Sequence, residues 1–164
     1  NNNYTTTQLG RYVTAVANRG TVFEETLLKE IKDAEGNIIE QYDPNVKNQI
    51  DVLNTQQWDA IHSGMRMVVE NLDCFKDFPV LAAGKTGTAQ QVKNRPNHAL
   101  FVGFAPCDNP QISIATRITH GYTSHNAADV SKDILAYYFK TADVSELVNG
   151  KAKNIDGSSN TVTD

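Results

Sequence analysis

The stretch "LAAGKTGTAQQ", Leu81 to Gln91, sets one lysine between two glycines, follows it with threonines and approaches it through small apolar residues. In an extended strand alternate side chains share a face, so Lys85 and Gly87 lie on one side and Thr86 and Thr88 on the other. A glycine inside a strand marks a bulge, a bend or a close approach by another backbone. In a binding protein that approach is made by a peptide laid along the strand edge, where it takes main-chain hydrogen bonds. Lys85 then offers a compact charge to a carboxylate. The residues leave a second reading open, in which Gly84 and Gly87 make a bulge or tight bend and Lys85 is simply solvated.

Downstream, "HALFVGFAP" (98–106) and "QISIATRIT" (111–119) read as two further strands. The short turn-forming "CDNP" between them makes their pairing antiparallel. Upstream, 54–71 reads as a helix with Trp58, Ile61, Met65, Val68, Val69 and Leu72 at helical spacing, Gly64 interrupting it, and Asn54 or Thr55 as cap. A helix over 5–18 repeats the pattern with Leu9, Val13, Val16 and Ala17, capped by Thr5 or Thr6 and ended by Gly20. Between them 27–31 and 38–42 form a hairpin across "DAEGN", closed by Pro44. A last helix over 127–140 places Val130, Ile134, Tyr137 and Tyr138 on one face, where they read as core or groove residues, as does Trp58. The order helix, hairpin, helix, three strands, helix defines an α+β class, a mostly antiparallel sheet covered by helices. Residues 1–140 form the folded unit, and 141–164 read as a polar tail expected to be disordered.

Composition narrows the function. The formal charge of −4 provides no basic footprint for nucleic acid. No apolar run approaches the ~18 residues that span a bilayer, so no membrane contact is expected of this chain. Cys74 and Cys107 lack metal or redox spacing and read as small buried residues, with a disulfide between them left open. His120 and His125 have no acidic or cysteine partner nearby in sequence, so no metal is expected, and no cofactor. Lys93 and Arg95 read as solvated loop residues.

"AGKTGTAQ", followed by "HALFVGFAP" and an "ISIA" strand, resembles the third conserved box and following strands of penicillin-binding proteins. These are transpeptidases of the serine acyltransferase superfamily that includes the β-lactamases, in which K-T-G accompanies S-x-x-K and S-D-N. "TTTQLGRYVTAVANRG" is similar to the helix preceding that box in the class B, monofunctional members; Thr7 stands where proline is common and Arg19 in the variable place. The resemblance runs from about Tyr4 to Phe139. It implies that Lys85 holds the substrate carboxylate and sets the electrostatics of the acid/base group. Thr86 and Thr88 would hydrogen-bond that carboxylate, Gly87 would keep the strand open, and the Thr88 backbone N–H would form half of an oxyanion hole. His98 matches a histidine common at the start of the family's next strand, with a structural role.

None of Ser63, Ser113, Ser124, Ser131, Ser145, Ser158 and Ser159 begins an S-x-x-K, and the single S-x-N, Ser158-Ser159-Asn160, follows the K-T-G box instead of preceding it. The expectation is therefore the C-terminal half of a transpeptidase domain, inactive alone, with exposed apolar surface and a tendency to self-associate. Its parent would be membrane-anchored and act on D-Ala-D-Ala stem peptides outside the cytoplasmic membrane, binding β-lactams there. Two alternatives are a non-catalytic muropeptide- or protein-binding module that keeps the fold, and a β-lactamase-like hydrolase.

Overall fold

Thr5 and Asn54 each begin a helix in the same way. The computed structural model describes residues 3–148. In it the Thr5 hydroxyl accepts the Gln8 N–H while the Gln8 side chain accepts the Thr5 N–H, and Asn54 and Gln57 repeat this exchange. Both capping boxes satisfy amide groups that a helix start leaves without intrahelical partners. Helix α1 runs Thr6–Ala17 and α2 runs Thr55–Glu70. α1 ends where Arg19 and Gly20 take positive φ and the Gly20 N–H returns to the Ala15 carbonyl at 2.8 Å. A side chain at Gly20 would also press on Trp58, 3.1 Å from its Cζ2, so backbone and packing both require glycine there.

The segment between the helices is a two-part antiparallel arm. β1 (Thr21–Phe23) pairs with β4 (Val46–Gln49), and beyond them β2 (Glu30–Lys32) pairs with β3 (Ile38–Gln41). The expected hairpin is present, though its first strand begins at Glu30 and not at Leu27. Its turn is held by Asp33, whose carboxylate accepts the Asn37 N–H at 2.7 Å, and by Gly36 at φ +90°. The β1–β4 pair has no counterpart in the sequence reading. Its strands are too short to display alternation and find each other only across the intervening hairpin.

The main sheet is β5 (Ala83–Ala89), β6 (His98–Ala105) and β7 (Ile112–Ile118), in that order and antiparallel throughout, without a shift in register. One face carries Ala99, Phe101 and Ala105 with Ile112, Ile114 and Ile118. It is covered by α3 (Ser124–Tyr138), by Val69 and Leu72 at the end of α2, and by Phe75 from the 3₁₀ turn Asp73–Phe75. The other face carries Ala83, Val102 and Phe104 and is covered by Val13, Val16 and Ala17 of α1. His62 ties the layers together: its Nε2 donates to the Val16 carbonyl at 2.8 Å and its ring lies 4.8 Å from that of Phe104. Phe101, Phe104 and Leu135 are essentially fully buried, each contributing about 1.5–3 kcal/mol from apolar burial.

Helix α3 corrects two expectations. It starts at Ser124, capped by Thr123, and it turns Val130, Ile134, Tyr137 and Tyr138 outward. The buried face is Ala127, Ala128, Ser131 and Leu135, with Ser131 donating to the Thr116 hydroxyl of β7 at 2.8 Å. Small residues let the helix axis approach the sheet closely, so bulk ends up on the solvent side. Tyr137, 63% exposed, is not core, whereas Trp58 is buried as expected. Within the expected tail, α4 (Val144–Leu147) makes one helical turn. Residues 149–164, with Ser158-Ser159-Asn160, fall outside the described residues. Among the described residues, no helix is long and apolar enough to cross a membrane.

Candidate functional site

The two glycines flanking Lys85 do different work. Gly84 stands opposite Gly103 in the ladder, and the Phe101 ring lies over the pair. A Cβ at Gly84 would sit 2.8 Å from Phe101 Cε2 and 2.9 Å from the Val102 carbonyl oxygen. That ring cannot withdraw, because Phe101 is 1% exposed and stacks on Phe75 with centroids 5.8 Å apart. Gly84 is therefore a packing glycine. Gly87 stands opposite Leu100, and a Cβ there would meet nothing nearer than the Leu100 Cβ at 3.6 Å, an ordinary contact. Neither glycine makes the bulge the residues left open, since the register is unbroken from Ala83 to Ala89.

The direction of the backbone groups follows from the ladder. In antiparallel pairing a residue's N–H and C=O point to the same side, and sides alternate along the strand. The Ala105 carbonyl accepts the Gln111 N–H on the β7 side, so Phe101 and Gly103 also face β7 while Val102 and Leu100 face β5. Their partners Lys85 and Gly87 direct backbone groups to β6, which leaves Thr86 and Thr88 directing theirs to the outer edge of β5. The Lys85 ammonium fits this, folding back to donate to the Thr86 carbonyl at 2.9 Å. β5 is an edge strand of its sheet among the described residues, and Lys85 is exposed while Thr86, Gly87 and Thr88 are half-buried. The site thus offers an ammonium on the α1 face, two hydroxyls rooted on the α3 face and a row of edge amides between them. That set suits the carboxylate and backbone of an extended peptide.

Past Ala89 the strand leads to an open cleft of ≈ 920 Å³ on the Lys85 face, lined by Tyr4, Thr5, Leu9, Leu100, His98 and Arg117. His98, opposite Ala89 and 8% exposed, accepts the His120 N–H on Nδ1 at 3.0 Å, and the two rings lie 5.0 Å apart. Burial, with the Arg117 charge next in size, lowers its pKa, and a backbone donor aimed at Nδ1 needs the neutral ring. This is the structural part expected of His98. Its link to His120 was invisible in the sequence, because it joins the two ends of the β6–β7 hairpin. His120 and His125 are not brought together as ligands: His120 engages His98 and Pro96, and His125 engages Thr123. Among the described residues, no group of three or more His, Cys, Asp or Glu side chains is arranged to hold a metal ion.

The remaining candidates lie elsewhere. Lys93 and Arg95 are exposed in the β5–β6 loop. Cys74 and Cys107 are free and half-buried, on opposite faces of the main sheet. Burial, followed by the Asp129 carboxylate, pushes the Cys74 thiol up to about 11, and burial raises Cys107 as well.

Residues 2–136 match the family described as penicillin binding protein transpeptidase domain. Penicillin-binding protein 2A of Bacillus subtilis is 25% identical over 93% of the chain and 24% of its own length. Peptidoglycan D,D-transpeptidase MrdA of Haemophilus influenzae is 30% identical over 80% of the chain and 23% of its own. The chain therefore spans about a quarter of the length of these curated relatives. Among solved structures, Pseudomonas aeruginosa PBP2 in complex with WCK 5153 superposes with TM-score 0.65 at 32% identity, over 82% of this chain and 30% of that one. The D,D-transpeptidase domain from Eggerthella lenta superposes at 0.69 with 24% identity, over 84% of this chain and 32% of that one, a likeness of fold.

Proposed function

The chain belongs to the penicillin binding protein transpeptidase family, in its class B branch, and from that premise we propose that it is the substrate-strand portion of a peptidoglycan D,D-transpeptidase. In this reading residues 1–140 are the C-terminal part of the transpeptidase domain. The complete protein attacks a D-Ala-D-Ala stem peptide with a serine and passes the acyl group to an amine of a neighbouring strand. It works on the outer face of the cytoplasmic membrane and is acylated by β-lactams. Neither a non-catalytic binding module nor a β-lactamase-like hydrolase is favoured by the family match.

One observation carries the reading: K-T-G lies in a strand of unbroken register that is at the sheet's edge among the described residues and directs the backbone groups of Thr86 and Thr88 outward. A stem peptide running along that edge meets Lys85 from one face and the threonine hydroxyls from the other. Lys85 neutralises the terminal carboxylate and biases the neighbouring acid/base group. Thr86 and Thr88 hydrogen-bond the carboxylate, and the Thr88 N–H points where the developing oxyanion forms, a donor worth about 10²–10³ in rate. A side chain at Gly87 would stand on the Lys85 face, in the path of that peptide.

No serine of this chain begins an S-x-x-K, so the nucleophile and its base must come from other sequence. Fluorescent penicillin separates the possibilities. The complete parent takes a covalent label and this chain alone does not. A labelled chain overturns the assignment of the nucleophile elsewhere, and an unlabelled parent overturns the transpeptidase reading.

A further inference from the structure

The distal part of the arm is left unexplained by the site. β2 and β3 pack chiefly against each other. Apolar side chains nevertheless stand on them and at their base in solvent: Ile38 is 53% exposed, Ile39 67%, and Leu27, Leu28 and Ile31 are exposed too. A two-stranded hairpin without a covered face is marginal in water, and a run of uncovered Ile and Leu on such a hairpin is the mark of a contact surface. Charge narrows what can cover it. Residues 24–43 hold seven carboxylates against Lys29 and Lys32, a net −5, whereas the whole chain is −4; everything outside the arm is therefore slightly positive. Lys32 is already engaged by Glu30 at 3.0 Å. An anionic bilayer would be repelled by this arm, and so would the same arm of a second copy.

We infer that the β2–β3 arm is a docking surface for a second protein whose contacting surface is basic around an apolar centre. The apolar strand faces supply burial, and Glu24, Glu25, Glu35 and Glu40 select the partner by charge and speed its approach. This inference stands apart from the K-T-G site and holds or fails independently of it.

The test places a photo-crosslinking amino acid at Ile39 of the complete parent in its own cells and sequences the cross-linked peptide by mass spectrometry. The expected adduct is a segment of a different protein with net positive charge. Its yield falls about tenfold in the combined Glu24→Lys, Glu25→Lys, Glu40→Lys variant, and also falls in Ile38→Ser, which leaves the charge unchanged. No adduct, an adduct to lipid, to another segment of the parent itself, to a second copy of it or to an acidic segment, or a yield indifferent to charge reversal, overturns the inference. The adduct on the otherwise unaltered arm decides even where the triple variant fails to accumulate.

Discussion

Gly84→Ala and Gly87→Ala are the same chemical change three positions apart on one strand, and the structure assigns them opposite outcomes. At Gly84 the new methyl overlaps Phe101 Cζ, sits 2.8 Å from Phe101 Cε2 and 2.9 Å from the Val102 carbonyl oxygen, and neither neighbour can retreat from a closed core. Overpacking of this kind costs about 1–3 kcal/mol, and a clash with backbone and a pinned ring belongs at the upper end. Replacing glycine lowers the entropy of the unfolded chain, which offsets about 0.4–1 kcal/mol. The net expectation is about 2 kcal/mol of destabilisation. At Gly87 the methyl makes one ordinary contact, with Leu100 at 3.6 Å, so the entropic term stands alone and the variant is about 0.4–1 kcal/mol more stable. With a urea dependence of about 2 kcal/mol per molar, the two midpoints should differ by more than about 1 M. Urea titration followed by the fluorescence of Trp58, the single tryptophan and a buried one, measures this directly. Equal midpoints, or a Gly84→Ala chain as stable as the wild type, would refute the packing argument and with it the division of labour between the glycines.

Three other outcomes are expected. Lys85→Gln in the complete parent should slow acylation by fluorescent penicillin by on the order of 10²-fold while leaving the urea midpoint of this chain unchanged, because Lys85 is exposed; an unchanged acylation rate removes Lys85 from the site. Cys74, pushed from 9.0 to about 11 mainly by burial, should react with a disulfide reagent at about pH 8 at least roughly tenfold more slowly than a fully exposed thiol, with Asp129→Asn recovering only part of the difference. His98 has a folded pKa below its unfolded value, so the unfolded chain binds the proton first. Its contribution to stability is complete above the ordinary histidine value and is lost as pH falls below it. Lowering pH from about 7.5 to about 5.5 should therefore reduce the urea midpoint, and less so in His98→Asn, which keeps an acceptor for the His120 N–H; an identical pH dependence in the variant contradicts the assignment.

Local signals were legible in the sequence. The caps at Thr5 or Thr6 and at Asn54 or Thr55, of which the structure uses Thr5 and Asn54, the Gly20 stop, the turn at Asp33–Asn37 and the alternation of Ile112, Ile114, Thr116 and Ile118 all follow from interactions within a few residues. The K-T-G box and its family likewise needed only residue order. Three features were not legible. β1 and β4 pair across the hairpin they enclose. The buried face of α3 was set by how closely Ala127, Ala128 and Ser131 let it approach the sheet, against the pull of its larger apolar residues. His98 and His120 met through a hairpin closure that sequence spacing does not encode.

By itself the amino-acid order determined the first two helices with each cap narrowed to two residues, the existence of a helix after the sheet, the three main strands and the presence of an ammonium, two hydroxyls and a bare backbone position in one extended run. Only the assembled sheet decided that Gly84 is spent on Phe101 while Gly87 stays open, and that Thr86 and Thr88 direct their amides to the edge. The reason is physical: side-chain alternation is a property of one strand, but which backbone groups point to the edge, and which glycine has an aromatic ring above it, depends on the register with a neighbouring strand.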